Sequence, residues 1–427
     1  MIVIRRLLLL LVCAAAVTAT TVAQSSLPAA SAGLVLFDEV WKTINDSFYD
    51  PTFAGLDWAG VRDELRPNAA QASSVGAARA VVNEMLARLK RSHFALLPAS
   101  AAIDDDMVLK GEATPDIDVR VVDGQVIVIA DRTRASAGAR GLSGQRIVAI
   151  DGRSVVPPPD TPSLIAWRRV NAALHGFDGS RALIELAGGS RVSVPRRIPL
   201  GIPVQFSNLP PMRVRVDQHM AQTPAGRGVG VIGFNVWMAQ VDQPVAAAVD
   251  SFRHSAGLIF DLRGNPGGLA AMISGMAGHI LDRADLLGTM RMRQMSQAKF
   301  VVNPRTSTSD GRTVTPFSGP VAILVDEMTA SASECFAGGL QDLGRVRVFG
   351  RTSMGQALPA STKRLSNGDV LEYVVGDFVT SKGRSLEGSG VVPDEIQPLS
   401  TASLLAGLDD PMRAALAWID RESKPIR

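Results

Sequence analysis

Cysteine is almost absent from this chain of 427 residues, which contains only Cys13 and Cys335. Once the N-terminal segment discussed below is removed, only Cys335 remains, and a single cysteine cannot form an internal disulfide. The sequence also lacks CxxC and HExxH patterns, and its five histidines are scattered. A metal site is therefore not expected, and nothing in the sequence implies an organic cofactor. The fold must be stabilised by packing.

An excess of charge of one sign is also missing. The chain carries 44 Lys and Arg against 41 Asp and Glu, which gives a net charge of +3 with the basic residues dispersed. This pattern argues against a nucleic-acid partner. Hydrophobic residues make up 46% of the sequence, which is enough for a substantial core.

Apolar runs long enough to cross a bilayer are absent as well. Residues 1–23 have a basic start at Arg5 and Arg6, a short apolar run and small residues before a plausible cleavage point, which predicts a signal peptide. The run is too short for a stable membrane span. Because Val12 before Cys13 matches a lipoprotein cleavage site poorly, lipid attachment is not expected. We expect a secreted or periplasmic protein.

The sequence divides into three parts after the signal peptide. Apolar residues at helical spacing predict a helical region over residues 24–100. Residues 105–197 contain short β runs, two of them joined at Asp123-Gly124, a strong hairpin signal. Over residues 198–427 strands and helices alternate with glycine-rich joints, which predicts an α/β core.

Two helices in this last part are predicted from local signals. The stretch GGLAAMISGMAGHIL predicts one helix, and DDPMRAALAWID predicts another with Asp410 as N-cap and Pro411 at the first helical position.

Two strand-to-helix joints carry candidate chemistry. In GLIFDLRGNPGGLA an apolar strand ends at Asp261 and a turn follows that includes Gly267, where backbone amides could converge on an oxyanion. The alternative is a tight turn closed by Asp261 and Arg263. In VAILVDEMTASASECFAGG, Ser331 would be the first residue of a helix and could act as a nucleophile. The alternative is that Ser331 is only an N-cap, with Glu334 completing a capping box.

The pair DLRGNPGG and TASASE resembles the carboxy-terminal processing, or tail-specific, serine peptidase family and its relatives, the tricorn core among them. The segments FDEVWKTINDSFYD, GQRIVAIDG and GRSLEGSGVVPDEI extend the resemblance over most of the chain. It implies a crotonase-like ββα-spiral core and a PDZ-like module over residues 105–197. It also implies Ser331 as nucleophile, Ser333 as a supporting residue, and an oxyanion hole from the Gly267 and Ala332 amides.

The general base distinguishes two branches of that family. In the processing-peptidase branch the base is a lysine, but the matching position here is Gln356, which has no proton-accepting state near neutral pH. The tricorn-like branch uses a Ser-His pair and a distant glutamate. This chain resembles it at Ser92 and His93, with Glu387 as the candidate carboxylate. Histidine is suited to proton transfer at neutral pH.

These expectations predict a serine endopeptidase that acts on polypeptides through an acyl-enzyme on Ser331. The PDZ-like module would bind the C-termini of substrates or gate the site. One alternative is a catalytically inactive peptide-binding protein of the same fold, in which Gln356 marks the loss of the chemistry. Another is hydrolysis of a non-peptide acyl bond at the same site.

Overall fold

A computed structural model of the protein describes residues 29–99, 111–132, 141–161, 163–205, 212–293, 297–308 and 310–423. The predicted signal peptide, residues 1–23, lies outside the described residues. Within these ranges no helix combines the length and the apolar character that crossing a bilayer requires.

The described elements fall into three groups along the chain. The first part contains α1 (Ala29–Ser47), α2 (Trp58–Ala70), α3 (Val75–Ala87) and β1 (Ala95–Leu97). The second contains β2 (Ile117–Val122), β3 (Gln125–Asp131), β4 (Arg146–Ile150), β5 (Arg153–Ser154), α4 (Ser163–Leu174), β6 (Arg181–Leu186) and β7 (Arg191–Pro195). The third contains β8 (Ile202–Val204), β9 (Met212–Val214), β10 (Val216–Gln222), β11 (Gly228–Phe234), α5 (Asp242–Ser251), β12 (Leu258–Asp261), α6 (Ile273–Ala277), β13 (Asp285–Met292), β14 (Ala298–Val302), β15 (Val321–Val325), α7 (Ala332–Asp342), β16 (Arg347–Gly350), β17 (Ala360–Arg364), β18 (Val370–Val374), β19 (Gly376–Thr380), β20 (Glu395–Ile396), α8 (Thr401–Leu405) and α9 (Asp410–Glu422).

The central sheet of the third part has the strand order β10-β11-β12-β15-β16-β20 and is parallel from β11 onward. Both faces of the sheet are covered. On β15, Ile323 belongs to the core that contains Phe336 of α7, while the next residue, Leu324, packs in the core that contains Ile419 of α9. Burial on two sides explains why β15 is an uninterrupted apolar run. The α/β class predicted for this part is confirmed.

The second part is an antiparallel sheet of order β2-β3-β4-β6-β7 with β5 paired to β4. Helix α4 covers it through Val170 and Leu174. The predicted hairpin is confirmed, because Asp123 and Gly124 join β2 to β3 with φ of 51° and 71°. Positive φ at both positions is what a tight two-residue turn requires.

The core of the N-terminal helices includes strands from much later in the chain. Phe37 and Val40 of α1 and Leu86 of α3 pack with Leu371 of β18. Strand β1 pairs with β18, and β18 pairs with β17, to give a three-stranded antiparallel sheet. This sheet fixes the segment after α3, which holds Ser92 and His93, against the third part of the chain.

Helix α9 begins differently from the prediction. Its N-cap is Asp409, whose side chain accepts a hydrogen bond from the Met412 N–H at 3.1 Å. Asp410 is already the first helical residue and Pro411 the second. The prediction of Asp410 as N-cap was wrong by one residue, because either carboxylate satisfies the sequence pattern and only the backbone conformation selects between them.

The helix predicted over GGLAAMISGMAGHIL is also shorter than expected. A 3-10 turn at Ala270–Met272 leads into α6, which spans only five residues. The chain after α6 passes close to another segment, since a Cβ at Gly278 would lie 2.5 Å from the Asn303 carbonyl oxygen. Tertiary contact therefore replaces the continuous helix.

Asp369 links the N-terminal helices to the β17–β18 hairpin. Its side chain is completely buried and accepts hydrogen bonds from Arg79 at 2.7 and 2.9 Å and from the Ala99 N–H at 2.8 Å. Asp369→Ala leaves the partly buried Arg79 without its partner, so we expect a loss of about 2–4 kcal/mol in unfolding free energy. Denaturant unfolding measures it.

The matched control is Asp38→Ala, which breaks an ion pair with Arg66 whose side chains are 35% and 38% exposed. An exposed pair of this kind contributes about 1 kcal/mol or less. Equal effects of the two substitutions would contradict the role assigned to Asp369.

Candidate active site

The two predicted strand-to-helix joints meet at one edge of the central sheet. Strands β12 and β15 are parallel neighbours, with Asp261 in register with Leu324, so their carboxyl ends lie side by side. Asp326 joins the loops that follow, because its carboxylate accepts hydrogen bonds from the Gly264 N–H at 2.8 Å and the Met328 N–H at 3.0 Å. The Ala330 N–H also donates to the Asn265 carbonyl.

Ser331 is the N-cap of α7 and has an unusual backbone. Its φ of 54° and ψ of −120° lie in a region that non-glycine residues rarely adopt. The Ser331 N–H donates to the Gln356 carbonyl at 2.8 Å and to the Glu334 carboxylate at 3.0 Å. These contacts hold the strained backbone and place the partly exposed Ser331 at the helix N-terminus, where the dipole favours negative charge.

Gly267 lies directly against Ser331. Its φ is 94°, and a Cβ at this position would lie 2.6 Å from Ser331 Cβ and 2.9 Å from the Ala332 nitrogen. The structure thus brings the two predicted oxyanion residues, Gly267 and Ala332, next to the serine. The Gly267 N–H, however, donates to the side-chain oxygen of Asn265 at 2.9 Å.

Glu334 is fully buried, and both of its carboxylate oxygens are used. Besides the Ser331 N–H, it accepts hydrogen bonds from the Ser353 hydroxyl, the Gly355 N–H at 2.7 Å and the Gln356 N–H at 2.9 Å. Burial raises the pKa of Glu334, and these four hydrogen bonds oppose that shift. Glu334 therefore does more than close a capping box, because it also fixes the loop over residues 353–356.

His93, Ser92 and Glu387 form a hydrogen-bonded chain. The Ser92 hydroxyl donates to Glu387 Oε2 at 2.9 Å and lies 2.7 Å from His93 Nδ1, while the Ser92 N–H donates to Glu387 Oε1 at 2.9 Å. Since the serine hydroxyl gives its one hydrogen to the carboxylate, Nδ1 must be the donor to Ser92. The proton assigned to Nδ1 leaves Nε2 of His93 as a proton acceptor.

The environment of His93 shifts its titration. Burial lowers the pKa of His93 below the ordinary value of 6.5, and the negative charges of Glu372 and Glu387 oppose part of this shift. The ring is therefore neutral at neutral pH, as a proton acceptor must be. The backbone of His93 also has a positive φ, 58°.

A single cleft of about 2750 Å³ contains both groups. Ser331, His93, Gln356 and Gly267 all line it, together with residues of the second part of the chain such as Trp167. No hydrogen bond joins Ser331 to His93, although both residues lie in the described part of the chain. Free enzymes often hold such pairs apart until substrate binds.

Two residues of the site were assigned no role from the sequence, although Asn265 lies within DLRGNPGG. Trp237 is fully buried, and its ring N–H donates to the Ser333 hydroxyl at 2.8 Å, which fixes the start of α7. Asn265 is also fully buried and bonds to the Phe234 carbonyl and the Gly267 N–H. The Trp237–Ser333 contact spans 96 residues and the Asn265–Phe234 contact spans 31, so local patterns could not reveal these two contacts. The bond between Asn265 and Gly267, in contrast, lies within a single turn.

Comparison with known proteins gives two family matches. Residues 228–396 match the model of Peptidase family S41, and residues 34–87 match that of the tricorn protease C1 domain. A carboxyl-terminal-processing protease of Synechocystis sp. is 28% identical over 387 residues, which cover 88% of this chain and 84% of the relative.

Solved structures show the same fold. The photosystem II D1 C-terminal processing protease aligns with a TM-score of 0.56 at 23% identity, over 87% of this chain and 94% of its own. Mature CPAF aligns with a TM-score of 0.60 at 14% identity, over 93% of this chain and 99% of its own.

The contact between Gly267 and Ser331 gives a testable expectation. Gly267→Ala introduces a Cβ into occupied space at a positive φ, so Ser331 must shift. A displacement of about 1 Å at a catalytic group costs on the order of 100-fold in rate, so we expect kcat/KM on a peptide substrate to fall by about that factor. Gly275→Ala is the control, because a Cβ there meets nothing within 4 Å. Normal kinetics for folded Gly267→Ala would contradict this geometry.

Both joints at the carboxyl ends of β12 and β15, with Gly267 and Ser331, fall inside the matched residues 228–396. The first described part of the chain matches the tricorn domain over three helices. The chain therefore contains a peptidase family S41 domain over residues 228–396, and it is a serine-type peptidase.

Proposed function

We propose that this protein is an endopeptidase in which Ser331 is the nucleophile and His93 is the general base. The observation that carries the proposal is the hydrogen-bonded chain from Glu387 through Ser92 to His93, whose ring lines the same cleft as Ser331. The position of the family lysine holds Gln356, which cannot take a proton.

In this mechanism Nε2 of His93 takes the proton of Ser331 as the serine attacks the peptide carbonyl. Ser92 and Glu387 position the ring and stabilise the imidazolium, since Nδ1–H donates to Ser92 and Ser92 donates to Glu387. His93 then returns the proton to the leaving amine, and water hydrolyses the acyl-enzyme.

The tetrahedral oxyanion would be held by backbone amides. The Ala332 N–H lies at the N-terminus of α7, next to the nucleophile. The Gly267 N–H would have to exchange its bond to Asn265 for one to the oxyanion. We therefore propose that the site described here is a resting state, which substrate binding completes.

The remaining architecture fits polypeptide substrates. We propose that the antiparallel sheet of residues 117–195 with α4 is a PDZ-like module and that the third part of the chain has the crotonase-like ββα-spiral arrangement. The module contributes Trp167 to the wall of the cleft, so a chain bound to it would lead toward Ser331. We propose that the protein cleaves polypeptides near their C-terminus, which is the activity for which the relatives are named.

Residues 1–23 have the pattern of a signal peptide, which supports a secreted or periplasmic location. The alternative function, a binding protein without activity, rests on Gln356. A fluorophosphonate probe separates the two, because it labels only an activated serine.

Ser331→Ala tests the nucleophile. We expect peptide hydrolysis and fluorophosphonate labelling to fall by several orders of magnitude, while the folded structure survives. Ser333→Ala is the control. It removes the acceptor of the Trp237 N–H, so it should lower the unfolding free energy by about 1–3 kcal/mol and leave labelling at Ser331. Labelling that persists in Ser331→Ala would assign the chemistry to another group.

His93→Ala tests the base. Because nucleophile and base act as a unit, the loss should approach that of Ser331→Ala. Lys363→Ala and Lys382→Ala are the controls, since Lys363 bonds to Thr43 at 3.0 Å on the N-terminal helices and Lys382 is exposed. Loss of activity at a lysine and not at His93 would return the chain to the lysine branch.

The pH profile of the wild type tests the same group independently. The base works when neutral, and burial lowers the pKa of His93, so turnover should persist on acidification and fall only as pH drops through a value below 6.5. A lysine base would instead lose activity at higher pH, unless burial lowered its pKa strongly.

A further inference from the structure

One wall of the cleft beside His93 is the sheet of β1, β18 and β17. Its register places Ala95 opposite Glu372 and Glu372 opposite Thr362. Residues directly opposite each other on neighbouring strands share a face, and all three of these line the cleft. Since Ala95 and Thr362 are small, the Glu372 carboxylate is the long, charged group of this row.

The Glu372 carboxylate has no ion pair within the part of the chain that the structure describes. Lys363, one residue beyond Thr362, belongs to the opposite face of the sheet, where it contacts Thr43 at 3.0 Å and Glu39 at 3.5 Å. A half-buried carboxylate without a cation in a substrate cleft is available to a cation of the substrate.

The same strand register limits the distance between Glu372 and His93. His93 precedes Ala95 by two residues, so their Cα atoms are at most about 7 Å apart, and Glu372 lies about 5 Å across from Ala95. The negative charge of Glu372 raises the pKa of His93 by more than that of Glu387 does, which agrees with close approach.

The side of the substrate that meets Glu372 is fixed by the proton transfers. The general base returns its proton to the leaving amine, so the residues after the scissile bond depart past His93. An extended chain advances about 3.3 Å per residue, which brings the first or second residue after the scissile bond to Glu372.

We propose that Glu372 makes the peptidase select lysine or arginine at the first or second position after the scissile bond. This inference rests on the proposed function of Ser331 and His93. An ammonium or guanidinium group there forms a charge-assisted hydrogen bond with Glu372, whereas an acidic side chain is repelled. A free C-terminal carboxylate at the same place is repelled as well, which disfavours removal of single C-terminal residues.

The test uses the wild-type protein and peptides of matched sequence. Cleavage sites are first mapped by mass spectrometry in denatured β-casein. Quenched fluorescent peptides are then made from one such site with Lys, Gln or Glu at the first and, separately, the second position after the scissile bond. We expect kcat/KM to favour Lys over Glu by about tenfold or more at one of these positions.

The variants assign this preference to one carboxylate. Glu372→Gln should bring the Lys-to-Glu ratio close to one, and Glu372→Lys should invert it. Asp217→Asn is the control, because Asp217 also lines the cleft but pairs with Arg215 at 2.8 Å, and its ratio should equal that of the wild type.

Equal cleavage of the Lys and Glu peptides by the wild type overturns this inference and leaves the proposed function intact. So does a variant Glu372→Gln that slows all peptides alike, since Glu372 would then act only through His93. If the wild type neither cleaves any peptide nor reacts with the fluorophosphonate, the proposed function fails and this inference fails with it. The wild-type ratio alone decides the matter if the Glu372 variants do not fold.

Discussion

The hydrogen bonds to the buried carboxylate of Glu334 are the interactions on which the rest of the site depends. Glu334 lies in the first turn of α7 and accepts hydrogen bonds from four donors, one on Ser331 and three on the loop over residues 353–356. Burial raises the pKa of this carboxyl group, and the four hydrogen bonds, all from donors, oppose that shift and favour the charged form. The same bonds hold the unfavourable backbone of Ser331, whose strain must be supported by its surroundings.

A second carboxylate extends this arrangement toward His93. The Ala357 N–H donates to Glu387 at 3.0 Å, and Glu387 in turn accepts from both the backbone and the hydroxyl of Ser92. The short loop of Gln356 and Ala357 thus lies between Glu334 and Glu387. Through this loop, hydrogen bonds connect α7 and Ser331 on one side with Glu387, Ser92 and His93 on the other, so one loop positions both halves of the site.

This arrangement explains how residue 356 can lack a basic side chain without loss of the local structure. The Gln356 N–H bonds to Glu334, and its carbonyl accepts from Ser331, so the backbone of this residue performs the structural work. Gln356 also lines the cleft. The hydrogen bonds that hold the loop at this residue are made by its backbone, which any residue type except proline supplies.

Some features were determined by the sequence alone. The apolar run of β15, the Asp123-Gly124 turn and the small and glycine residues around Ser331 are local patterns, and local patterns report backbone geometry and burial directly. They were sufficient for the α/β class, for the hairpin and for the two joints. The extent of α6 was mispredicted, since a 3-10 turn precedes it and the residue after it lies against the segment around Asn303.

Only the tertiary structure decided how the groups meet. Ser92 and Glu387 are 295 residues apart in sequence. The paired strands β1 and β18 are separated by a similar length of chain, and no local pattern records such pairs. The bond between Asn265 and the Phe234 carbonyl, the contact of Trp237 with Ser333 and the position of Glu372 in the same cleft as His93 all arise in the same way. Hydrogen bonds and interactions between charges depend on how close the groups are in space. The packed cores bring these residues together whatever their separation along the chain.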